Sequence, residues 1–476
     1  MTTNPVRPAD LVAEFEDVHL GDRRLDVRML AVVQDIAASP GASFPMMVER
    51  SADREALYRF LGNERVNLGR LLSCHVSRTL KRVAEERTVR VVHDTTGLVF
   101  SGEREGLGPI KGARGQGFFT HVALAVSADE RRNALGILGA TTYAHEKNSP
   151  RKTLTRSQQT MLSRQRPRDQ KISSRWERQA LSVHHAIRGG VHAVHVMDQE
   201  ADDFAMFTEL LAAGIPFVVR CAGTRLTARG AQSISNLLRA ESSVLFRTVN
   251  IQKRPPHKAR GQSRPARGER EAALSIRWSS VALPKPDNVR GRRREPLRLN
   301  VVQVYEPQPP PGEEAVEWFL LTNEQVATLD DATRVVDHYR ARWTIEEFFK
   351  ALKTGCAIEK RQLTTYAGLT RALGLLLPVA WKLLLLRQLA RDPARTPATA
   401  VFTPSHLELI RLLLRKRRKD HSLPADPTAR DAMLAIAALG GHILNNGEPG
   451  WLVLGRGLQV YLDAELLWEA LRSDQS

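Results

Sequence analysis

The hydrophobic period of this 476-residue chain changes at Val89, and that change limits what it can fold into. Before it, apolar residues recur at helical spacing. Leu25, Met29, Leu30 and Val33 are the clearest case, a break and restart is read over Ser43–Met47, and Asp53–Leu61 and Val66–Val83 follow as amphipathic helices. After it, short apolar runs rich in β-branched residues take over. VRVVHD ends in Asp94, TTGLVFSG reads as a second short strand, and a third covers Gly117–Val126, giving a three-strand meander. A charged, serine-rich stretch precedes a helix over Glu177–Ile187. VHAVHVMD then runs into Asp198, ADDFAMFTELLAAG is a helix closed by Gly214, and IPFVVRC is one more strand. Strands alternating with helices in this way read as α/β. Asp94 and Asp198 then stand at the C-terminal ends of strands, where open α/β sheets place their sites.

Residues 222–325 interrupt that alternation. Arg254–Arg270 reads as a mobile basic loop, with strands around it in AALSIRWSSVAL and PLRLNVVQVYEP, a rigid turn at Pro307–Gly312 and a strand over Val316–Asn323. Beyond Gly355 helices return over Leu369–Leu389, Pro404–Leu413, Thr428–Leu439 and Leu458–Leu471, with a basic run at 415–419 and a linker at Ser422–Pro427. The division expected is a helical domain at 1–85, an α/β core at 86–370 with its β-rich insertion at about 222–325, and a helical domain at 371–476.

Between insertion and C-terminal helices lies DHYRARWTIEEFFKALKTG, Asp337 to Gly355. Wound as one helix, it places Tyr339, Arg342, Glu346, Lys350 and Lys353 within an arc of about 80°. Ala341, Ile345, Phe348 and Leu352 fall on the opposite face. One carboxylate among cations and a phenol is what a metal-dependent enzyme acting on phosphates needs.

The charge balance agrees. Lys plus Arg number 70 against 52 Asp plus Glu, a formal +18. Such a charge repels itself unless a polyanion neutralises it, and nucleic acid is the usual one; a soluble protein with pervasive Arg usage is the plainer alternative. Cys74, Cys221 and Cys356 are too widely spaced for a disulfide framework or a zinc cluster. The N-terminal segment has no basic head followed by an apolar run, and the apolar stretch Leu373–Leu386 contains Pro378 and Lys382 and is shorter than a membrane span. A cytoplasmic protein without membrane partners is expected.

Two-metal phosphoryl transfer needs two or three carboxylates converging on hard divalent cations. Asp94, Asp198 and Glu346 are the natural trio. Each has an ordinary alternative. Asp94 before Thr-Thr suits a turn or cap; Asp198 has Glu200, Asp202 and Asp203 beside it; Glu346 suits an ion pair with Lys350 at i+4.

Tyr339, Arg342, Glu346 and Lys353 spell Y-x2-R-x3-E-x6-K, and the segment resembles the signature of bacterial cut-and-paste insertion-sequence transposases. HDTT at 93–96 and DQEAD at 198–202 resemble that family's first and second catalytic motifs, and WFLLT at 318–322 resembles the strand before its catalytic helix. LGDRR and ALYRF resemble its end-binding domain; LGG at 439–441 and PGW at 449–451 resemble its C-terminal region.

The resemblance implies a ribonuclease-H-like mixed-sheet core carrying a β-rich insertion, flanked by N- and C-terminal helical domains. It implies Asp94, Asp198 and Glu346 as catalytic ligands of Mg²⁺, with Mn²⁺ able to substitute. Cleavage at the element end, then attack by the 3′-hydroxyl on target DNA, needs no nucleotide cofactor. Arg342, Lys350 and Lys353 would clamp phosphates, Tyr339 and Trp318 would hold terminal nucleotides, and Arg220 would touch a phosphate or flap. His121 is read as structural. The partners implied are the double-stranded terminal repeats, target DNA and a second copy of the chain when DNA is bound, with Leu458, Val460, Leu462 and Leu466–Leu471 as contributors or as core. The chain departs from the pattern at Gln199, which replaces an arginine. A nuclease without strand transfer, or a catalytically silent DNA-binding relative, is the alternative.

Overall fold

The computed structural model describes residues 8–473 except 49, 111, 114, 146–154, 156–157, 159–173, 229–231, 254–255, 260–261, 265, 287–294, 392–395, 419 and 444–447. The chain divides into two compact units, one made of Met1–Glu85, Thr95–Lys147 and Thr344–Ser476, the other of Glu86–Asp94 and Asn148–Trp343. Strand β1, Thr88–Phe100, runs from one into the other.

The first unit begins with five helices: α1 Pro8–Ala13, α2 Arg23–Ala38, α3 Phe44–Met47, α4 Ser51–Gly62 and α5 Leu68–Ala84. Asp22 and Asn67 start α2 and α5 by accepting the N–H of Arg24 and Arg70, satisfying amides that have no partner within the helix. Next come β2 Gly108–Pro109, β3 Gln116–Ser127 and β4 Ala134–Tyr143; β3 pairs antiparallel with β4 along most of its length. Sequence reading passes over β4, whose two glycines, Gly136 and Gly139, blunt its hydrophobic alternation. Gly136 is required there: at φ 144°, a Cβ would sit 2.1 Å from the Thr79 hydroxyl of α5.

A buried polar cluster fastens α5 to this hairpin. His75 Nε2 accepts the Ile137 N–H at 3.0 Å, so its Nδ1 carries the proton it shares with Glu14 at 2.6 Å. Arg82 bonds the other Glu14 oxygen at 2.8 Å and the Leu135 carbonyl at 2.6 Å.

After residue 344 this unit continues into α11 Tyr366–Ala390, α12 Pro404–Arg417, α13 Ala429–Leu439 and α14 Trp451–Ser473, where α9 and α10 are the two helices introduced below. Helix α11 is apolar on all sides and is long and apolar enough to cross a membrane, but it is buried inside the protein. Leu458 and Leu462 of α14 are buried within the unit.

In the second unit the strands order as β1, β5 His192–Met197, β6 Phe217–Cys221, β12 Glu317–Thr322, β11 Leu297–Tyr305, β10 Arg270–Leu283 and β7 Val244–Ile251. The pairs β1–β5 and β5–β6 are parallel; from β6 onward every pair is antiparallel. Helices α6 Ser174–Ala186 and α7 Phe204–Ala212 bury Trp176, Ala180, Phe204, Phe207 and Leu210 against Met197, Phe217, Val219, Val301 and Leu321. The short α8, Ile234–Arg239, adds Ile234 and Leu238. Where a mobile loop is expected over Arg254–Arg270, β8 His257–Ala259 pairs with β9 Gln262–Arg264, and β10 starts at Arg270; Arg254 lies outside the described residues.

Two expectations are corrected. The strand through Asp94 does not end there: Thr95, Thr96, Leu98 and Val99 continue it, since β-branched and apolar residues favour extended backbone, and Asp94 is the seventh of its thirteen residues. Nor is Asp337–Gly355 one helix. α9, Leu329–Arg340, stops at Ala341; α10, Trp343–Lys350, begins after a two-residue break; Ala351–Gly355 is a π-turn closed by the Cys356 N–H on the Ala351 carbonyl at 2.8 Å. The chain is thus mixed α/β, with a mixed sheet flanked in sequence by N- and C-terminal helical regions, consistent with a ribonuclease-H-like core.

Candidate active site

Asp94 projects from β1 in the second unit, and its Oδ2 accepts from Arg342 Nη1 at 2.9 Å. Both side chains are largely buried, 15% and 13% exposed. Strand alternation sends the preceding residue, His93, to the other face. There, fully buried, its Nε2 meets His195 Nδ1 of β5 at 2.9 Å. Burial pushes His195 down to about 3, so it is neutral at physiological pH. This pair, together with Arg90 donating to His338 Nδ1 of α9 at 3.1 Å, ties β1 to its neighbours. Sequence reading notes His93 only as part of HDTT and misses the other three. They sit in apolar strand or helix patterns, where a histidine or arginine signals nothing until its partner is known.

Asp198 follows the last residue of β5, as expected, and its Oδ1 accepts the Glu200 N–H at 2.9 Å, capping a short 3₁₀ turn over Gln199–Ala201. Burial, then the Asp198 charge, raises the Glu200 carboxyl. The other acids of the motif have structural work: Asp203 caps α7 through the N–H groups of Ala205 and Met206, and Asp202 is ion-paired with Arg225.

Tyr339 is not on an exposed polar face. It is buried, its ring edge-on to Trp318 of β12 with centroids 5.4 Å apart. Burial raises its phenol against the pull of the Arg342 and Arg220 charges; a hydrogen bond with Arg220 lowers it and the Asp198 charge raises it further. Six expected site residues are therefore brought together in this unit. Arg342 holds Asp94, and Tyr339 touches Trp318 and Arg220 and lies in the fields of Arg342 and Asp198.

In the first unit Glu346 sits in the first turn of α10, half-buried beside the buried Ile345. The ion pair considered for it belongs to its neighbour: Lys350 Nζ bonds Glu347 Oε1 at 2.7 Å, with Arg387 3.7 Å from the other Glu347 oxygen. Lys353 donates to the Gly97 carbonyl of β1 at 2.7 Å, and burial lowers its ammonium pKa. As it stands, Lys353 is engaged with backbone. His121 is buried on β3, its Nδ1 2.9 Å from the Thr95 hydroxyl. At the start of α10, Trp343 is 60% exposed, an aromatic the sequence reading did not single out.

The oxygen donors of Asp94 and Asp198 suit a hard divalent cation. Their arrangement does not hold one: Asp94 carries a guanidinium, Asp198 accepts an amide proton, and among the described residues no three His, Cys, Asp or Glu side chains gather as a metal site. The three cysteines are buried and unpaired with one another.

Two family models match the chain. Residues 11–66 match the one described as Transposase DNA-binding, covering α2 to α4. Residues 155–381 match the one described as Transposase DDE domain, a span that includes Asp198, Arg220, Trp318, Tyr339, Arg342 and Glu346 and begins after Asp94. The chain therefore carries a DDE-type transposase or nuclease domain with a transposase DNA-binding domain ahead of it.

Proposed function

We propose that this chain is a cut-and-paste DNA transposase of the insertion-sequence type with the Y-x2-R-x3-E-x6-K signature. It cleaves DNA at the ends of a mobile element and joins the freed 3′-hydroxyls to target DNA. The observation that carries this reading is the grouping in one unit of Asp94, Arg342, Tyr339, Arg220 and Trp318, with Asp198 in electrostatic reach. Asp94, Asp198, Arg220 and the stretch from Trp318 to Arg342 are far apart in sequence and meet only in the fold.

In this reading Asp94, Asp198 and Glu346 are the catalytic carboxylates and the ligands of Mg²⁺. Arg342 and Arg220 bind phosphate oxygens by charge-assisted bonds and orient the scissile phosphate. Trp318, braced edge-on by Tyr339, receives a terminal base. Lys350 and Lys353 contact the DNA backbone flanking α10. In the first step water attacks phosphorus and the 3′-oxygen leaves as a hydroxyl. In the second, that hydroxyl attacks a target phosphodiester, one P–O bond forming as another breaks, so no nucleotide cofactor is consumed. Residues 1–85 recognise the element end, 86–370 form a ribonuclease-H-like core with its β-rich insertion, and 371–476 support a dimer on paired ends. The protein acts in the cytoplasm, at the nucleoid. The formal +18 charge suits prolonged contact with DNA.

The absence of a gathered acidic cluster among the described residues favours a second reading, a DNA-binding relative that does not cut. One experiment separates them. Glu346→Gln is to be compared with wild type and Glu347→Gln on DNA carrying the element ends, with Mg²⁺. Glu346→Gln is expected to lose more than about 100-fold in cleavage while DNA binding persists, and Glu347→Gln to keep cutting. Unchanged cleavage by Glu346→Gln would sink the assignment; binding without cleavage by wild type would establish the second reading.

A further inference from the structure

Arg361 is among the largest side chains buried in this protein, 2% exposed, and it carries a charge. Burial lowers its guanidinium to about 10, so it remains a cation at physiological pH. It donates to backbone carbonyls from two distant stretches of the first unit. Nη2 bonds the Pro40 carbonyl at 2.9 Å and the Cys356 carbonyl at 2.7 Å, and Nη1 bonds the Ala42 carbonyl. The Phe44 ring lies against it, its centroid 4.7 Å from the guanidinium carbon. Pro40 and Ala42 follow the C-terminus of α2, where carbonyl dipoles favour a cation. Cys356 follows the π-turn that ends α10. A buried charge held by carbonyls is a costly way to fill a core. What it gains here is a joint, since a planar fork fixes two backbones that an apolar side chain would only separate.

The joint links recognition to reaction. The α2–α3 corner belongs to residues 11–66, the stretch that matches the Transposase DNA-binding model. α10 and its π-turn carry Glu346, Lys350 and Lys353. The two backbones come close at the joint: a Cβ at Gly41 would lie 3.3 Å from the Gly355 carbonyl oxygen. The same stretch is also fixed to β1, through Lys353 on the Gly97 carbonyl and the Val99 N–H on Glu359 Oε1 at 2.9 Å. We propose that Arg361 is a positioning residue that sets the distance between the element end recognised and the phosphodiester cut. It acts as a ruler. With α2–α4 seated on the repeat, the joint brings α10 to one phosphate and not to its neighbours. The ruler rests on the transposase reading for its substrate. Lysine cannot replace the arginine, because a single ammonium lacks the planar fork that holds both sides at once.

The test maps cut positions to the nucleotide on an end-labelled duplex bearing the terminal repeats, with affinity for the duplex and thermal midpoint measured alongside. Full-length wild type, Arg361→Lys and Gly41→Ala are compared. Wild type is expected to cut at one phosphodiester. Arg361→Lys is expected to bind the duplex as wild type does, to lose at least about tenfold in cutting at that position, and to cut at neighbouring positions instead. Gly41→Ala, whose added methyl wedges the joint open by a few tenths of an ångström, is expected to spread the cuts in the same way with a smaller loss. Gln459 of α14 holds the Ala38 carbonyl at 3.1 Å and the Ser39 hydroxyl at 2.6 Å, so α2 keeps a second tether in both variants. Arg361→Lys cutting only at the wild-type position, at whatever rate, overturns the proposal. A residue that merely holds the fold together lowers the thermal midpoint and the total cutting without moving the cut. If Arg361→Lys does not fold, the Gly41→Ala map decides by the same criterion. If wild type itself cuts at no fixed position, the functional reading fails and the ruler with it; if wild type and the variants all cut at one position, the ruler alone fails.

Discussion

Glu14, His75 and Arg82 show how single residues set the conditions under which this chain holds together. Burial raises the Glu14 carboxyl, but the bond from His75 and the charge and bonds of Arg82 outweigh it and bring it from 4.5 to about 2. Burial also holds His75 below its ordinary 6.5. Both groups are depressed in the fold, so the sign is the same for each. Their stabilisation is complete above the unfolded values and is lost as pH falls, beginning near 6.5 for His75 and running from 4.5 towards 2 for Glu14. The Glu14 share is on the order of 3 kcal/mol. Urea unfolding at pH 7 and pH 4 should therefore show lower stability at pH 4. Glu14→Gln should lose about 3 kcal/mol at pH 7, because it removes the charged partner of the half-buried Arg82 and of the buried His75, and should show a flatter acid loss. An unchanged slope in that variant would show that the cluster does not govern the acid limb. None of this is visible in sequence, where Glu14 and His75 lie 61 residues apart. Asp198 and Arg342 stood out as candidates for the opposite reason, since short, spaced motifs carried them.

At the scale of elements, what sequence reveals depends on how evenly an element is built. Helix α11 and strands β5, β6 and β12 were legible because one apolar pattern runs through each. The segment Asp337–Gly355 was only half legible. Ala341, Ile345, Phe348 and Leu352 are buried as the helical arithmetic requires. The arc of polar residues, however, is not a single exposed face: Tyr339, in α9 ahead of the break, packs against Trp318, and Lys353, in the π-turn, reaches Gly97. Strand β1 was read as two because Asp-Thr-Thr resembles a turn, whereas sheet pairing carries it through. One glycine tests that pairing. A Cβ at Gly117 of β3 would lie 1.9 Å from the Leu98 carbonyl of β1, a backbone atom that cannot swing aside. Gly117→Ala should therefore cost at least about 2 kcal/mol, seen as a lower urea midpoint. Wild-type stability in that variant would mean that β1 and β3 are not so closely paired.

For the whole molecule, the charge of +18 and the order of helical, α/β and helical regions were plain from the start. What sequence could not give is the state of the site. The acids were named from their motifs, but the ion pair on Asp94 and the cap on Asp198 depend on contacts made only when the chain folds. The central claim is that this molecule joins DNA as well as cutting it. The most direct measurement incubates the purified chain with Mg²⁺, a duplex bearing the element's terminal repeats and labelled at the transferred strand, and a supercoiled plasmid. A site-specific cut at the repeat end and label covalently joined to the plasmid are expected, both lost in Asp94→Asn. Random nicking without joined product, or binding with no cut at all, would contradict it.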